Sequence, residues 1–299
     1  LMVFINVSYL LLFSWSILGN FLIIVFVLTS NFRHLPMYFF LTHLSFCDII
    51  FITNIVPNML HVILKEGSWL SLPGCVSQYH IFGLSASTES FLLTVMSYDR
   101  YLAICQPLRY SAIMDMRLQL CLVLCSWLLS LMVTVLSLIL ICQLDFCGPG
   151  VIDHFFCDFT PLIELSCSDT SYVQIKINVA SLPIVLVPFT FIIWTYVCIF
   201  ITITGISSIT GRQKTFSTCS SHESVVSIYY VTLFAVYVVP KRQSSMNINK
   251  ILSLLYTVVT PLFNPIIYSL RNQDIREALK KQVCKLHLSF QSKAAALAE

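Results

Sequence analysis

CVSQYHIFGLSASTESFLLTVMSYDRYLAICQPLRY, residues 75–110, is the stretch whose reading decides the fold. Its apolar run, 76–105, is long enough to cross a bilayer, since about 20 residues at about 1.5 Å each span the hydrocarbon core. Yet it carries Glu89, Asp99 and Arg100. Ionisable groups at membrane depth are expensive, so they point to function by default. From Cys75 to Arg100 is 25 residues, about 37 Å of helix. One helix thus bears a cysteine at one end and an Asp-Arg pair at the other.

The rest of the chain repeats the pattern. Its 299 residues are 57% hydrophobic and 10% charged, with a mean hydropathy of +0.84. Soluble domains carry roughly 25% charged residues, so lipid is the natural solvent. Seven spans are predicted, at about 3–29, 36–63, 76–105, 118–141, 174–205, 215–239 and 249–270. Polar or Pro/Gly-containing breaks separate them at 30–35, 65–74, 106–117, 143–173, 205–214 and 240–247. The fold class is an all-α membrane protein, a seven-transmembrane helix bundle within residues 1–293. After the seventh span, Ile275, Leu279, Val283 and Leu286 recur at helical spacing opposite basic residues. This predicts a short amphipathic C-terminal helix, about 272–286, lying on membrane lipid. The chain opens at Leu1 on apolar residues, so a short outer tail is expected before it; no cleavable signal peptide is visible, and 294–299 reads as a linker. The sequon Asn6-Val7-Ser8 lies inside the first span and is read as a coincidence.

Basic residues set the orientation. One set of span ends holds 12 Lys and Arg, the other 5. The C-terminus is therefore expected in the cytoplasm and the N-terminus outside. The loop 143–173 is then outside, and carries Asp145, Asp153, Asp158, Glu164 and Asp169. Outside is oxidising, so Cys75, Cys147, Cys157 and Cys167 are expected to pair. Spacing alone leaves the connectivity open. Pro57, Pro183, Pro188, Pro261 and Pro265 interrupt spans, which a bundle tolerates when neighbours satisfy the freed carbonyls.

MSYDRYLAICQPLRY (96–110) resembles the helix-three signature of odorant receptors. PMYFFLTHLSFCD (36–48), HFFCDFTPLIELSCSDT (154–170), KTFSTCSSH (214–222) and PLFNPIIYSLRN (261–272) resemble further signatures of that family, in the family's order. By this resemblance the chain is similar to rhodopsin-like G-protein-coupled receptors of the tetrapod-type odorant class. The resemblance implies the pairs Cys75–Cys157 and Cys147–Cys167. It also implies that Asp99, Arg100, Tyr101, Tyr196, Lys214, Asn264, Pro265 and Tyr268 serve activation, with Tyr196 and Tyr268 moving toward Arg100. The implied partners are a small apolar odorant and a stimulatory, olfactory-type heterotrimeric G protein that raises cyclic AMP. A lone Arg at a helix end could simply snorkel; the surrounding signature favours a two-state coupling element.

Asp48 and Glu89 match acidic sites of the family, and with Asn20 and Asn264 they are expected to line one polar cluster. Two nearby carboxylates repel, so they would share a proton or hold a cation such as Na⁺; both readings stand open. No other cofactor or metal is expected. The ligand is expected in the outer half, in a mostly apolar pocket. Phe82, Gly83, Ala86 and Ser87 are the candidates in helix three, and Tyr230, Phe234 and Tyr237 in helix six. Ala180, Ser181 and Ile184 in helix five, with Leu254 and Thr257 in helix seven, complete the ring. No Asp lies near Phe82 and no Lys or Arg sits deep in the outer half, so a neutral apolar volatile is expected, with Ser87, Thr257 or Tyr237 giving one hydrogen bond. Glu223 stands where the family usually has an apolar residue, and is expected to pair with His222, Lys214 or an Arg, or to be protonated. Val231 stands where it usually has Gly, and is expected to narrow that region.

A transporter would show hydropathy repeats or short broken helix pairs, and neither is present. The seven histidines are dispersed, with no nucleophile–base pair or metal set, so an enzyme is not expected. The net charge of +3 is small and says little alone; no nucleic-acid partner is expected.

Overall fold

Capping side chains and prolines set where the helices start. Ser71 accepts from Gly74 N at 3.2 Å and Pro73 sits in the first turn, opening α3 (Leu72–Cys105). Pro107 opens the short α4 (Pro107–Ile113), and Asp115 caps α5 (Met116–Ile141) by accepting from Leu118 N at 2.8 Å. Such caps satisfy the orphan N–H groups of a first turn, and a first-turn proline has none to lose. The other helices are α1 (Met2–Thr29), α2 (Pro36–Lys65), α6 (Phe159–Glu164), α7 (Ser171–Thr204) and α8 (Ile209–Val238). Residues 260–268 are also helical. This computed structural model describes residues 2–30, 34–65, 67, 69–147, 150–152, 154–238, 257 and 260–268. Among them the only strand-like pairing is one bridge, Phe146 to Ser166.

The first six expected spans each correspond to one long helix. α8 starts at Ile209 rather than near 215, where Ser208 Oγ caps it by accepting from Gly211 N at 3.2 Å. Arg212 turns back and donates to the carbonyls of Thr204 at 3.3 Å and Ile206 at 3.0 Å. Two expected breaks contain short helices, α4 and α6. The seventh span is described at 257 and 260–268, and all of these residues are helical. The amphipathic helix 272–286 and the tail 294–299 lie outside the described residues.

Among the described residues, four segments are long and apolar enough to cross a membrane by length and composition: Val7–Thr29, Pro36–Lys65, Met116–Ile141 and Ser171–Thr204. α3 and α8 have 34 and 30 residues but carry the polar load, which they turn inward. Glu89, Asp99 and His222 are all buried. By contrast Leu11, Trp15, Leu128, Met132, Phe200 and Val179 are exposed on α1, α5 and α7. That is the division a lipid-immersed bundle requires. α3 is the axis, packing against α2, α5, α7 and α8. A Cβ on Gly83 would lie 3.3 Å from Thr134 Cγ2, so α3 and α5 approach closely there. Ser126, Ser130, Thr134 and Ser137 line the buried face of α5. Small residues on a helix face let backbones approach in this way.

The outer loop is tied down at three points. Cys75–Cys157 joins α3 to the loop across 82 residues, with Cα atoms 5.4 Å apart. Cys147–Cys167 closes 20 residues within the loop, Cα atoms 5.9 Å apart. Both pairs are those implied by the family resemblance. The third tie is polar: Cys157 N donates to Gln78 Oε1 at 2.9 Å. Gln78 Nε2 donates to Asn54 O at 3.0 Å, and Asn54 Nδ2 donates to Gln78 O at 2.9 Å.

The longer closed loop carries the larger entropic restraint, about 4 kcal/mol against about 3 kcal/mol for the shorter. In detergent-solubilised protein, Cys75→Ser is expected to lower the melting temperature more than Cys147→Ser. The reverse order in a thermal melt would contradict this account of the loop.

Candidate functional site

At the C-terminal end of α3, Arg100 donates to Asp99 Oδ2 from Nη2 at 2.7 Å and from Nε at 3.1 Å. Tyr110, on α4, donates to the other oxygen, Asp99 Oδ1, at 2.8 Å. Asp99 is fully buried and Arg100 retains 13% exposure. Burial, reinforced by the Asp99 carboxylate, raises the Tyr110 phenol, so it stays protonated and donating. Tyr101 is turned the other way, against Trp194 of α7 with ring centroids 5.3 Å apart. The adjacent Asp and Arg therefore form the pair, and Tyr101 packs the α3–α7 seam. Tyr110 was missed by sequence reasoning: it lies 11 residues after Asp99, and only the reversal at Gln106 brings it back.

Neither Tyr196 nor Tyr268 makes a hydrogen bond to Arg100 among the described residues. Tyr196 shares a 2.5 Å hydrogen bond with His222 Nδ1, and the two rings stack at 5.9 Å. This bond joins α7 to α8. Tyr268 is fully buried, its hydroxyl without a hydrogen-bond partner among the described residues. Glu223 points outward and makes no ion pair among the described residues, so the expected pairing with His222 is not found. The Lys214 side chain lies outside the described residues.

Asn264 draws the polar cluster together. Its Nδ2 donates to Asp48 Oδ2 at 2.9 Å and to Glu89 Oε1 at 3.3 Å. All three residues are at most 3% exposed. Asn20 stands one step aside. Pro265 has no N–H, so the Pro261 carbonyl four residues earlier loses its helical donor. Asn20 Nδ2 at 3.0 Å and Ser16 Oγ at 2.8 Å supply the replacement from α1. The backbones can meet because a Cβ on Gly19 would lie 3.1 Å from Pro265. Among the described residues no group of three or more His, Cys, Asp or Glu is arranged to hold a metal ion. Asp48 Oδ1 has no hydrogen-bond partner there.

In the outer half, Phe82 is buried between Phe51 and Phe156, with centroids 5.5 Å away on each side. Phe156 belongs to the outer loop, beside Cys157, so the loop reaches into the core. Tyr230 is buried against Phe189 at 4.8 Å, and Phe234 lies 5.4 Å from the same ring. Ala86 offers its carbonyl to Tyr229 Oη at 2.8 Å. Ala180, Ser181 and Ile184 are half-buried on α7. Ala180, with Leu136, Leu140, Ile175, Lys176 and Val179, lines a cavity of about 370 Å³ between α5 and α7. Thr257 is fully buried. Leu254 and the Tyr237 side chain lie outside the described residues.

Gly83 faces Thr134 of α5, where a Cβ would lie 3.3 Å from Thr134 Cγ2. The Ser87 hydroxyl donates within its own helix, to Gly83 O at 2.6 Å, and its oxygen keeps lone pairs for an incoming donor. One expectation needs correction: Val231 is 66% exposed on α8 and does not narrow the interior. Helical rotation decides this, and residue order does not reveal it.

The sequence profile of the olfactory receptor family matches residues 8–286. Among curated relatives, olfactory receptor 11A1 of Homo sapiens is 44% identical over 272 residues, covering 91% of this chain and 86% of its own. Olfactory receptor 11L1 of Homo sapiens is 44% identical over 275 residues, covering 92% and 85%. Olfactory receptor 1468 of Rattus norvegicus is 40% identical over 282 residues, covering 94% and 90%.

Removing the amide that bridges the two carboxylates leaves buried acceptors without a donor, a loss of about 1–3 kcal/mol. Asn264→Ala is expected to lower the thermal stability of purified receptor by that amount. An unchanged melting temperature would show that the bridge contributes nothing.

Proposed function

The chain belongs to the olfactory receptor family, and on that premise we propose that it binds a small, mostly apolar volatile in the outer half of its bundle and activates a stimulatory heterotrimeric G protein, raising cyclic AMP. The observation that carries the coupling half is the buried Asp99–Arg100 pair with Tyr110 on its second oxygen. A cation so held is kept from a partner; once the pair opens, it can meet one. Family membership identifies a multi-pass membrane receptor and not an enzyme.

The ligand acts by differential affinity for two states. In the uncoupled state Tyr196 is held by His222 and Arg100 by Asp99. A ligand among Phe82, Ala86, Tyr230, Phe234 and the α7 residues Ala180, Ser181 and Ile184 favours the state in which the inner end of α8 moves out. Tyr196 then leaves His222 and turns, with Tyr268, toward Arg100. The G protein docks on the exposed inner face, helped by Arg117 and Lys214. Arg212 serves the α7 terminus, where it holds two carbonyls. The excess of Lys and Arg at one set of span ends supports an outer N-terminus and a cytoplasmic C-terminus. That none of the proposed ligand-lining side chains is charged supports a neutral ligand. Asp48 and Glu89, joined through Asn264, are candidates to hold Na⁺ in the uncoupled state.

Arg100→Ala is expected to reduce odorant-evoked cyclic AMP to the unstimulated level at unchanged surface expression; a retained response would remove Arg100 from coupling. Tyr110→Phe deletes one hydrogen bond to a charged group, about 1.5 kcal/mol or roughly tenfold in the equilibrium, so unstimulated cyclic AMP should rise. A baseline no higher than wild type would count against a restraining role. Sodium titration should stabilise wild-type protein and not Asp48→Asn; equal melting curves with and without sodium would leave the shared-proton reading.

A further inference from the structure

The cavity between α5 and α7 opens on the lipid-facing side of the bundle as a groove of about 370 Å³. Helical spacing makes its two walls. Leu136 and Leu140 are four residues apart on α5; Ile175 and Val179, like Lys176 and Ala180, are four apart on α7. Residues at that spacing share a helix face. Leu136, Ile175 and Val179 are exposed, so they meet lipid. Leu140 instead joins Ile141, Val173 and Ile177 in a buried cluster that packs α5 on α7 beside the groove. The groove is therefore already formed, and its size lies within the roughly 300–1,000 Å³ of ligand sites.

Polarity is graded along it. α5 ends and α7 begins at the disulfide-bonded loop, so Lys176 marks the loop end, while Leu136 and Val179 lie deeper. Lys176 Nζ stands 4.1 Å from the centroid of the Tyr172 ring, one turn nearer the helix start. Tyr172 is itself exposed. A tyrosine and a lysine together at the end of a span mark the membrane–water interface. Lys176 makes no ion pair among the described residues. An ammonium has three donors, so beside the ring it still has donors to offer an anion.

A ligand that fits is anionic at headgroup depth and apolar below it. At about 30 Å³ for each water-sized group, the groove holds roughly a dozen methylenes. One turn of a helix about 10 Å across occupies more than the groove contains. A neighbouring protein helix could cover the groove but not fill it.

We propose that the groove between α5 and α7 is a phospholipid site: one acyl chain lies along Leu136, Ile175 and Val179, and the headgroup phosphate meets Lys176. With the N-terminus outside, the lipid belongs to the outer leaflet. This goes beyond the receptor reading and needs only a chain that spans a bilayer, so it stands or falls apart from odorant binding and coupling.

The test uses the full chain in phosphatidylcholine nanodiscs that contain a phosphatidylcholine probe with a diazirine on one acyl chain. Irradiation and peptide mass spectrometry then read which residues are labelled, with no odorant or G protein present. Wild type is expected to be labelled around Leu136 and Val179 above the level around Leu18, an exposed residue of α1. Lys176→Gln should reduce the groove labelling about threefold, the worth of an exposed ion pair, and Lys176→Arg should keep it. Val179→Trp fills the groove and should abolish the labelling around Leu136. Labelling around Leu18 should be the same in all variants. If Val179→Trp does not fold, the two Lys176 variants carry the decision. Groove labelling no stronger than that of α1, or equal labelling by a diazirine diacylglycerol that lacks phosphate, would make the lipid there merely annular and overturn the site. Preferential labelling by a diazirine fatty acid would assign the groove to a free carboxylate. Receptor–receptor cross-links at Val179 that exclude the probe would assign it to a second copy. Either result overturns the proposal.

Discussion

A proline inside a membrane helix frees a carbonyl, and no water is at hand in hydrocarbon to satisfy it. This protein answers that constraint with side chains from neighbouring helices. Pro265 frees Pro261 O, and α1 answers with Ser16 and Asn20 at 2.8 and 3.0 Å. Pro188 frees Ile184 O, and α3 answers with Ser90 at 3.2 Å. Each repair is also an inter-helix tie. One places the last described helix against α1, so that Asn264 reaches Asp48 and Glu89. The other places α7 against α3 with Tyr230 of α8 on the same oxygen. The prolines and the polar nodes are one arrangement.

α3 carries most of the consequences. Its outer end is stapled to the loop at Cys157, with Gln78 and Asn54 repeating the tie through hydrogen bonds. Its middle holds Glu89 and Ser90, facing different neighbours. Its inner end holds the Asp99–Arg100 pair. A rigid axis with a ligand-side anchor and a partner-side switch suits a two-state receptor, since packed elements pass discrete displacements rather than graded ones. The inter-helix hydrogen bonds Tyr196–His222, Tyr230–Ser90 and Tyr229–Ala86 all end on α8. α8 is therefore the element through which ligand and partner are coupled in the proposed mechanism.

Much of this was legible in the residue order. Apolar run lengths placed the first six long helices to within six residues, and composition pointed to lipid as the solvent. The motifs gave the family, and through it both cysteine pairs. Illegible were the rotation of each helix and the return path of short connections. Gly83 is a pocket candidate by helical position, and only the packing shows that it faces Thr134 of α5. Val231 adjoins buried Tyr230 and points outward, because a helix advances about 100° per residue. Tyr110 lies beyond a helix end, and only the fold of α4 returns it to Asp99.

The sequence by itself determined that this chain is a bundle of membrane helices of one receptor family, with a stapled outer loop and acidic groups at depth. Those properties depend on local composition, run length and motif order, which are one-dimensional. Tertiary structure alone decided which donor answers which freed carbonyl, that His222 rather than Arg100 holds Tyr196, and that Ser90 joins three helices. Those pairings span 94 to 245 residues in most cases and 26 in the closest. They depend on the azimuth and depth of each helix, which are settled by packing the whole bundle at once.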